Sequence, residues 1–167
     1  SISKSATEDL VRLGEIICRK SALTMVRIDL SKTIEATPKR VLDALTQHAK
    51  LDRFFNAKFR IIKPEDEGAP SGGKGTIREV SMGRHTFLEE ILHADEGHIA
   101  YRILGEGPVT EHRGDIRLAA NGESGCTLNY RIQCKGPKLV PNIIVKFIIE
   151  KDIKRALDKL ARHFHER

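Results

Sequence analysis

PNIIVKFIIEKDIKRALDKLARHF, residues 141–164, decides the fold. Apolar side chains recur through it at helical spacing, Ile144, Phe147 and Ile148 in its first half and Leu157, Leu160 and Phe164 in its second, which predicts one long amphipathic helix. Lys146, Lys151, Lys154, Arg155, Lys159 and Arg162 punctuate those positions as a solvated face would, and cations near a helix end complement its dipole. Between Ile143 and Ile149 only Lys146 interrupts the apolar run, so this half either crosses a cavity or meets a partner.

Upstream the period changes to two. Val26, Ile28, Leu30 and Ile34 alternate with Arg27, Asp29, Ser31 and Thr33, marking a strand with one solvated face. Thr37-Pro38 then opens a helix, with Thr as N-cap and Pro at its first position. Val41, Leu42 and Leu45 are its apolar stripe, and a further helical turn is expected from Leu51 to Phe55. Six more strands are expected at 57–63, 75–82, 85–93, 98–105, 110–120 and 125–134. Gly83, Gly105-Glu-Gly107 and Asn121-Gly122 supply turns between antiparallel neighbours. Pro64 to Gly75, rich in Gly, Pro and acid, reads as a mobile loop. The result is an α+β domain whose antiparallel sheet is closed by one helix, an arrangement suited to enclosing a small apolar ligand.

The 167 residues suffice for one domain that buries about 70% of its unfolded surface. Residues 1–24 are an N-terminal extension: Ser5-Ala-Thr-Glu8 has the form of a capping box, and Leu10, Leu13 and Ile17 recur at helical spacing. A short amphipathic helix is predicted there, docked on the domain or making homodimer contacts; residues 25–167 are the single domain. Cys18 falls in that helix, while Cys126 and Cys134 share one strand face too far apart to bridge, which predicts reduced thiols and a cytoplasmic setting. With no apolar run of about 18 residues and no leader pattern, neither a membrane span nor secretion is expected. The net charge of +6 admits anionic partners. Its cations nevertheless spread over a helix face with no finger, RRM or KH signature, so no nucleic-acid partner is expected. No nucleophile motif, phosphate loop or metal-ligand spacing occurs, and no metal or cofactor is expected.

Seven short words, in order over residues 25–164, carry a family resemblance: Ile34-Glu-Ala-Thr-Pro-Lys-Arg-Val41, Gly75-Thr-Ile-Arg78, Phe87-Leu-Glu-Glu-Ile91, Tyr101-Arg-Ile103, His112-Arg-Gly114, Thr127-Leu-Asn-Tyr130 and Ala156-Leu-Asp-Lys-Leu160. Together they resemble the START-related helix-grip (SRPBCC) superfamily, in its polyketide cyclase/dehydrase and lipid transport branch. The resemblance implies a helix-grip fold: a seven-stranded antiparallel sheet curled around the long C-terminal helix, with a ligand cavity between them. Family members bind lipids, hormones, quinones or polyketides and a minority catalyse cyclisation or dehydration, so the family name does not by itself establish an activity. The 72–75 and 81–85 loops do not reproduce the gating loop of the plant hormone receptors, and Tyr130 stands where relatives often carry Trp; a hormone-receptor role is unsupported.

Strand parity selects the face turned to that helix. Ile99, Tyr101 and Ile103 share one inward face, His112, Gly114, Ile116 and Leu118 another, and Leu128, Tyr130, Ile132 and Cys134 a third, with Ile144, Phe147 and Ile148 expected across from them. Polar residues on these faces would orient a ligand, since pockets are mostly apolar with a few placed polar groups. Arg78 shares parity with Val80 and suits an acidic ligand group. Either Glu89 or Glu90 must point inward, and the alignment with relatives favours Glu89. His112, Tyr101 and Tyr130 complete the set, against the plain alternative of a structural Arg–Glu pair and a satisfied histidine. Lys32 has inward parity too, as a strand-end lysine whose stem snorkels out or as a cation offered to the ligand.

Binding of a small hydrophobic or amphipathic ligand is the leading expectation. A cyclase or dehydratase is the alternative, with His112 as general acid or base and Arg78 or a tyrosine stabilising an enolate oxygen. A protein-interaction module built on the basic final helix and the apolar extension is the third.

Overall fold

The computed structural model describes residues 4–165, with side chains described for 7–16 and 24–165. Its elements are α1 (Lys4–Thr24), β1 (Val26–Ile34), α2 (Pro38–Thr46), a 3-10 helix (His48–Arg53), β2 (Lys58–Lys63), β3 (Ile77–Met82), β4 (His85–Asp95), β5 (His98–Leu104), β6 (Thr110–Asn121), β7 (Gly125–Lys135) and α3 (Asn142–His165). The seven strands make one sheet in the order β1-β7-β6-β5-β4-β3-β2. β2 to β7 form a meander of antiparallel neighbours, and β1 pairs with β7, Val26 opposite Cys134 and Ile34 opposite Cys126.

The alternation along the strands sets which face is covered. Cys126, Leu128, Tyr130, Ile132 and Cys134 of β7 are buried, with exposed residues at Asn129, Arg131 and Gln133 between them. α3 lies over this face through Val145, Ile153, Ala156, Leu157, Leu160 and Phe164. Each such buried Leu or Phe contributes about 1.5–3 kcal/mol. α3 runs in the same direction as β1: Asn142 Nδ2 donates to the Thr24 carbonyl at 3.1 Å, Lys32 Nζ meets Asp158 Oδ1 at 2.6 Å, and His165 Nδ1 meets Glu35 Oε2 at 2.7 Å. α2 begins as its residues dictate, the Thr37 hydroxyl accepting from the Arg40 amide beside Pro38.

Four expectations need correction. Ile144, Phe147 and Ile148 do not face the sheet; all three are exposed, as is Ile143. At about 100° per residue the stripe through Val145, Ile153, Ala156 and Leu160 turns these four outward. The helical turn expected at Leu51 to Phe55 starts earlier, at His48. The Pro64 to Gly75 segment is tied down: Gly72 N donates to Glu65 Oε2 at 3.1 Å, Asp66 N to the Lys74 carbonyl at 2.8 Å, and Gly75 N to the Ile91 carbonyl at 2.9 Å. α1 is helical as expected, but from Thr7 to Ile16 every described residue is exposed, so this part does not dock on the domain. The side chains of Ser5, Ile17 and Cys18 lie outside the described residues; Cys126 and Cys134 are buried free thiols.

Candidate functional site

A polar cluster occupies the buried face of the sheet across β3, β4, β5 and β7. Arg78 on β3 and Glu89 on β4 are direct cross-strand partners. Arg78 Nε donates to Glu89 Oε1 at 3.1 Å, and the other contact of the pair is 3.0 Å. Each side chain is only 8% exposed. Parity therefore places Glu89 inward, while Glu90 pairs outside with Arg102 at 2.8 Å. Burial raises the Glu89 pKa, against the opposing pull of Arg78.

Arg78 is held on further sides. Its guanidinium lies over Phe59 of β2 and over Tyr101 of β5, 5.1 and 5.2 Å from the ring centroids. Its Nη1 is 2.9 Å from His48 Nδ1. Because a guanidinium only donates, Nδ1 must accept, which puts the imidazole proton on Nε2. That proton is donated to the Gly72 carbonyl at 2.7 Å. Burial first, and Arg78 second, push the His48 pKa down to about 4, consistent with a neutral ring. Gly72 has φ +72°, and a Cβ there would stand 2.4 Å from the Thr46 carbonyl oxygen. Only glycine lets the loop come this close to His48.

On the other side, the Tyr101 and Tyr130 hydroxyls are hydrogen-bonded to each other. They come from β5 and β7, with β6 between. Tyr101 crosses β6 at Gly114, its register partner, where a Cβ would meet the tyrosine ring at 2.4 Å. Glycine at 114 thus makes the tyrosine pair possible. Burial raises both phenol pKa values, that of Tyr101 well above the usual value.

His112 stands beside this pair, its ring 5.3 Å from that of Tyr101. It sits in a break of the β6–β7 register between Thr110 and Arg113, next to Glu111 with φ +47°. Its Nδ1 is buried and makes no hydrogen bond. Burial, then Arg78, push its pKa down to about 4.

Of the residues singled out from sequence, Arg78, Glu89, Tyr101, Tyr130 and His112 come together, with Val80, Ile99 and Ile116 buried among the apolar side chains of the same interior and Ile103 half-buried. Lys32 pairs with Asp158 at the edge, away from the cluster. Ile144, Phe147 and Ile148 lie outside it. His48, Phe59 and Gly72 were not foreseen. A signal for His48 exists: it follows Val41 and Leu45 at i, i+4, i+7 and so extends the buried stripe of α2.

Among the described residues, surface recesses lie along α1 by Thr7, Glu8, Val11, Arg12 and Glu15 and by Lys32, Asp158, Ala161 and Arg162, and neither of these includes a residue of the cluster. Among the described residues no helix is long and apolar enough to cross a membrane, and no group of His, Cys, Asp and Glu side chains is arranged to hold a metal.

The fold is shared with solved structures of low sequence identity. A START superfamily protein from Mycobacterium smegmatis superposes with a TM-score of 0.72 at 12% identity, over 84% of this chain and 97% of that one. The Zhui aromatase/cyclase from Streptomyces sp. R1128 gives 0.67 at 17% identity, over 86% and 95%. The protein XoxI from Bacillus cereus gives 0.66 at 16% identity, over 83% and 95%. No curated protein matches the sequence. The family model described as polyketide cyclase / dehydrase and lipid transport matches residues 25–165, which with the curled seven-stranded sheet and its closing helix means that the chain belongs to that family, within the START-related helix-grip superfamily.

Proposed function

We propose that the chain binds a small amphipathic ligand between the sheet and α3, with the ligand's polar group against Arg78, Glu89, Tyr101, Tyr130 and His112. The observation that carries this reading is the His112 Nδ1 atom, buried without a partner beside groups that are otherwise mutually satisfied. A buried unpaired polar atom costs about 1–3 kcal/mol in a core that has no use for it. A ligand hydroxyl or carbonyl would complete its bonding. The ion pair supports the same reading, since an apolar pair of similar volume often stabilises a core as well or better. Entry would require partly buried side chains around the core, Phe59 beside Arg78 among them, to shift and admit the ligand.

The cyclase or dehydratase reading has one observation in its favour, a neutral imidazole next to two phenols. The same imidazole weighs against it, because a pKa near 4 makes a weak base, whereas an efficient general base titrates near the working pH.

The chain supplies its own reporter. It has no Trp and two Tyr, both in the cluster, so tyrosine emission reads the site alone. The test is native against denatured mass of gently purified protein, followed by tyrosine fluorescence lifetimes during titration with a hydroxyanthraquinone and with palmitate. A co-purified mass, or a saturable lifetime change with either probe, is expected. Bare-chain mass together with an unmoved lifetime for both probes overturns the proposal.

A further inference from the structure

We infer that the interior site selects ligands whose buried end is an uncharged oxygen, an alcohol or a ketone, and rejects carboxylates, although an arginine stands in it. This selectivity rests on the binding reading above and deepens it.

A buried arginine invites an anion, and Arg78 taken alone suits one. Its charge, however, is already matched. Among the described residues Arg78 is the only buried cation and Glu89 the only buried anion, and the two are paired at 3.1 and 3.0 Å. The guanidinium is engaged elsewhere too: Nη1 donates to His48 Nδ1 at 2.9 Å, and the rings of Phe59 and Tyr101 lie against it at 5.1 and 5.2 Å. Lys32, the other cation of inward parity, is partly exposed and held by Asp158 at the edge.

A ligand carboxylate would therefore bring a second anion to one cation. It would have to evict Glu89, stand beside it as a like charge, or drive a proton onto one of the two carboxyls. An ion without a partner of its own is expensive out of water. Even the first carboxylate is held at a cost, since burial raises the Glu89 pKa against the pull of Arg78.

What the cluster has to spare is neutral hydrogen bonding. The Tyr101 and Tyr130 hydroxyls bond to each other, which uses one phenol proton of the two and leaves the other to donate. Beside them His112 Nδ1 is buried with no partner. An alcohol oxygen can accept from the phenol and donate to Nδ1, and a ketone oxygen can accept from the phenol and from Nδ1 when the ring proton is there. Neither adds a charge to an interior whose one cation is taken.

The test compares decan-1-ol, decan-2-one and decanoate, which share a tail length and differ in the polar end. Binding is read at neutral pH by tyrosine fluorescence lifetime, in the wild type and in Glu89→Gln, with circular dichroism to verify folding. The wild type should bind the better of the two uncharged probes about 100-fold more tightly than decanoate. Glu89→Gln keeps an acceptor for Arg78 and removes the anion, so decanoate should gain about tenfold or more on the uncharged probes, a gain that partition into an apolar core would not give. A wild type that binds decanoate as tightly as the alcohol and the ketone overturns the inference and leaves the binding reading intact. So does silence from all three probes where the hydroxyanthraquinone or palmitate responds. A folded Glu89→Gln chain with an unchanged preference overturns it too, and where that variant does not fold the wild-type ratio decides by itself. Silence from every probe, with a bare-chain mass, overturns the binding reading itself.

Discussion

Arg78 and Glu89 stand directly opposite each other on β3 and β4, joined at 3.1 Å from Nε to Oε1 in the protein interior. Two charges taken out of water together stabilise little, yet each makes the other indispensable. The pair is also the joint between two halves of the cluster, since Arg78 reaches His48 on one side and lies over Tyr101 on the other.

Removing one member should therefore cost far more than removing both. Arg78→Met is expected to lose about 3–5 kcal/mol, and Arg78→Met with Glu89→Leu to recover most of that loss. Urea denaturation of the two singles and the double measures the coupling; additive losses would mean that the pair is not a unit.

Stability should fall as pH drops from about 6.5 toward 4. His48 and His112 keep folded pKa values near 4 against 6.5 unperturbed. In that window the unfolded chain takes up protons that the folded chain refuses, and linkage makes this destabilising, by up to about 3 kcal/mol for each imidazole. Glu89 acts in the opposite sense, because its raised pKa favours the folded state at low pH and loses that advantage as pH rises. His48→Gln should remove roughly half of the pH slope in chemical-denaturation midpoints, and a slope unchanged by it would remove His48 from this account.

Gly114→Ala places a methyl 2.4 Å from the Tyr101 ring. The ring must swing away and release Tyr130, at a cost of about 1–3 kcal/mol for an overpacked core. The near-ultraviolet circular dichroism of the two tyrosines should change with it, and an unchanged spectrum would show that the crossing at β6 tolerates a side chain.

His112→Leu should separate stability from binding. Replacing the unpartnered Nδ1 with carbon removes a desolvation penalty, so the variant is expected to be as stable as the wild type or more stable by about 1 kcal/mol. The same change should weaken whichever probe the wild type binds. A destabilised variant that still binds would show that the imidazole serves the fold.

Much of this site is legible in the residues because strand parity is rigid. Once Phe87 and Ile91 are placed inward, Glu89 must follow, and the same rule turns Arg78, Tyr101 and Tyr130 to the interior. Parity does not say what an inward residue touches. Arg78 finds His48, and His48 finds Gly72, across separations of 30 and 24 residues, and no local pattern encodes such meetings. The first half of α3 is harder still, since a helix apolar on nearly every side has no phase to read. There Ile144, Phe147 and Ile148 prove to lie opposite the stripe that packs.

The pairing of β1 with β7 also imposes an order in time. On the ribosome β1 leaves before any other strand of the sheet, but its neighbour in the sheet is the last strand made. With roughly ninety residues between them and elongation at about 5–20 residues per second, the apolar edge of Val26, Ile28, Leu30 and Ile34 must wait about 5–20 s for its partner. The nascent chain is thus most vulnerable to capture by other strands, or by a chaperone, at the strand of the sheet that was made first.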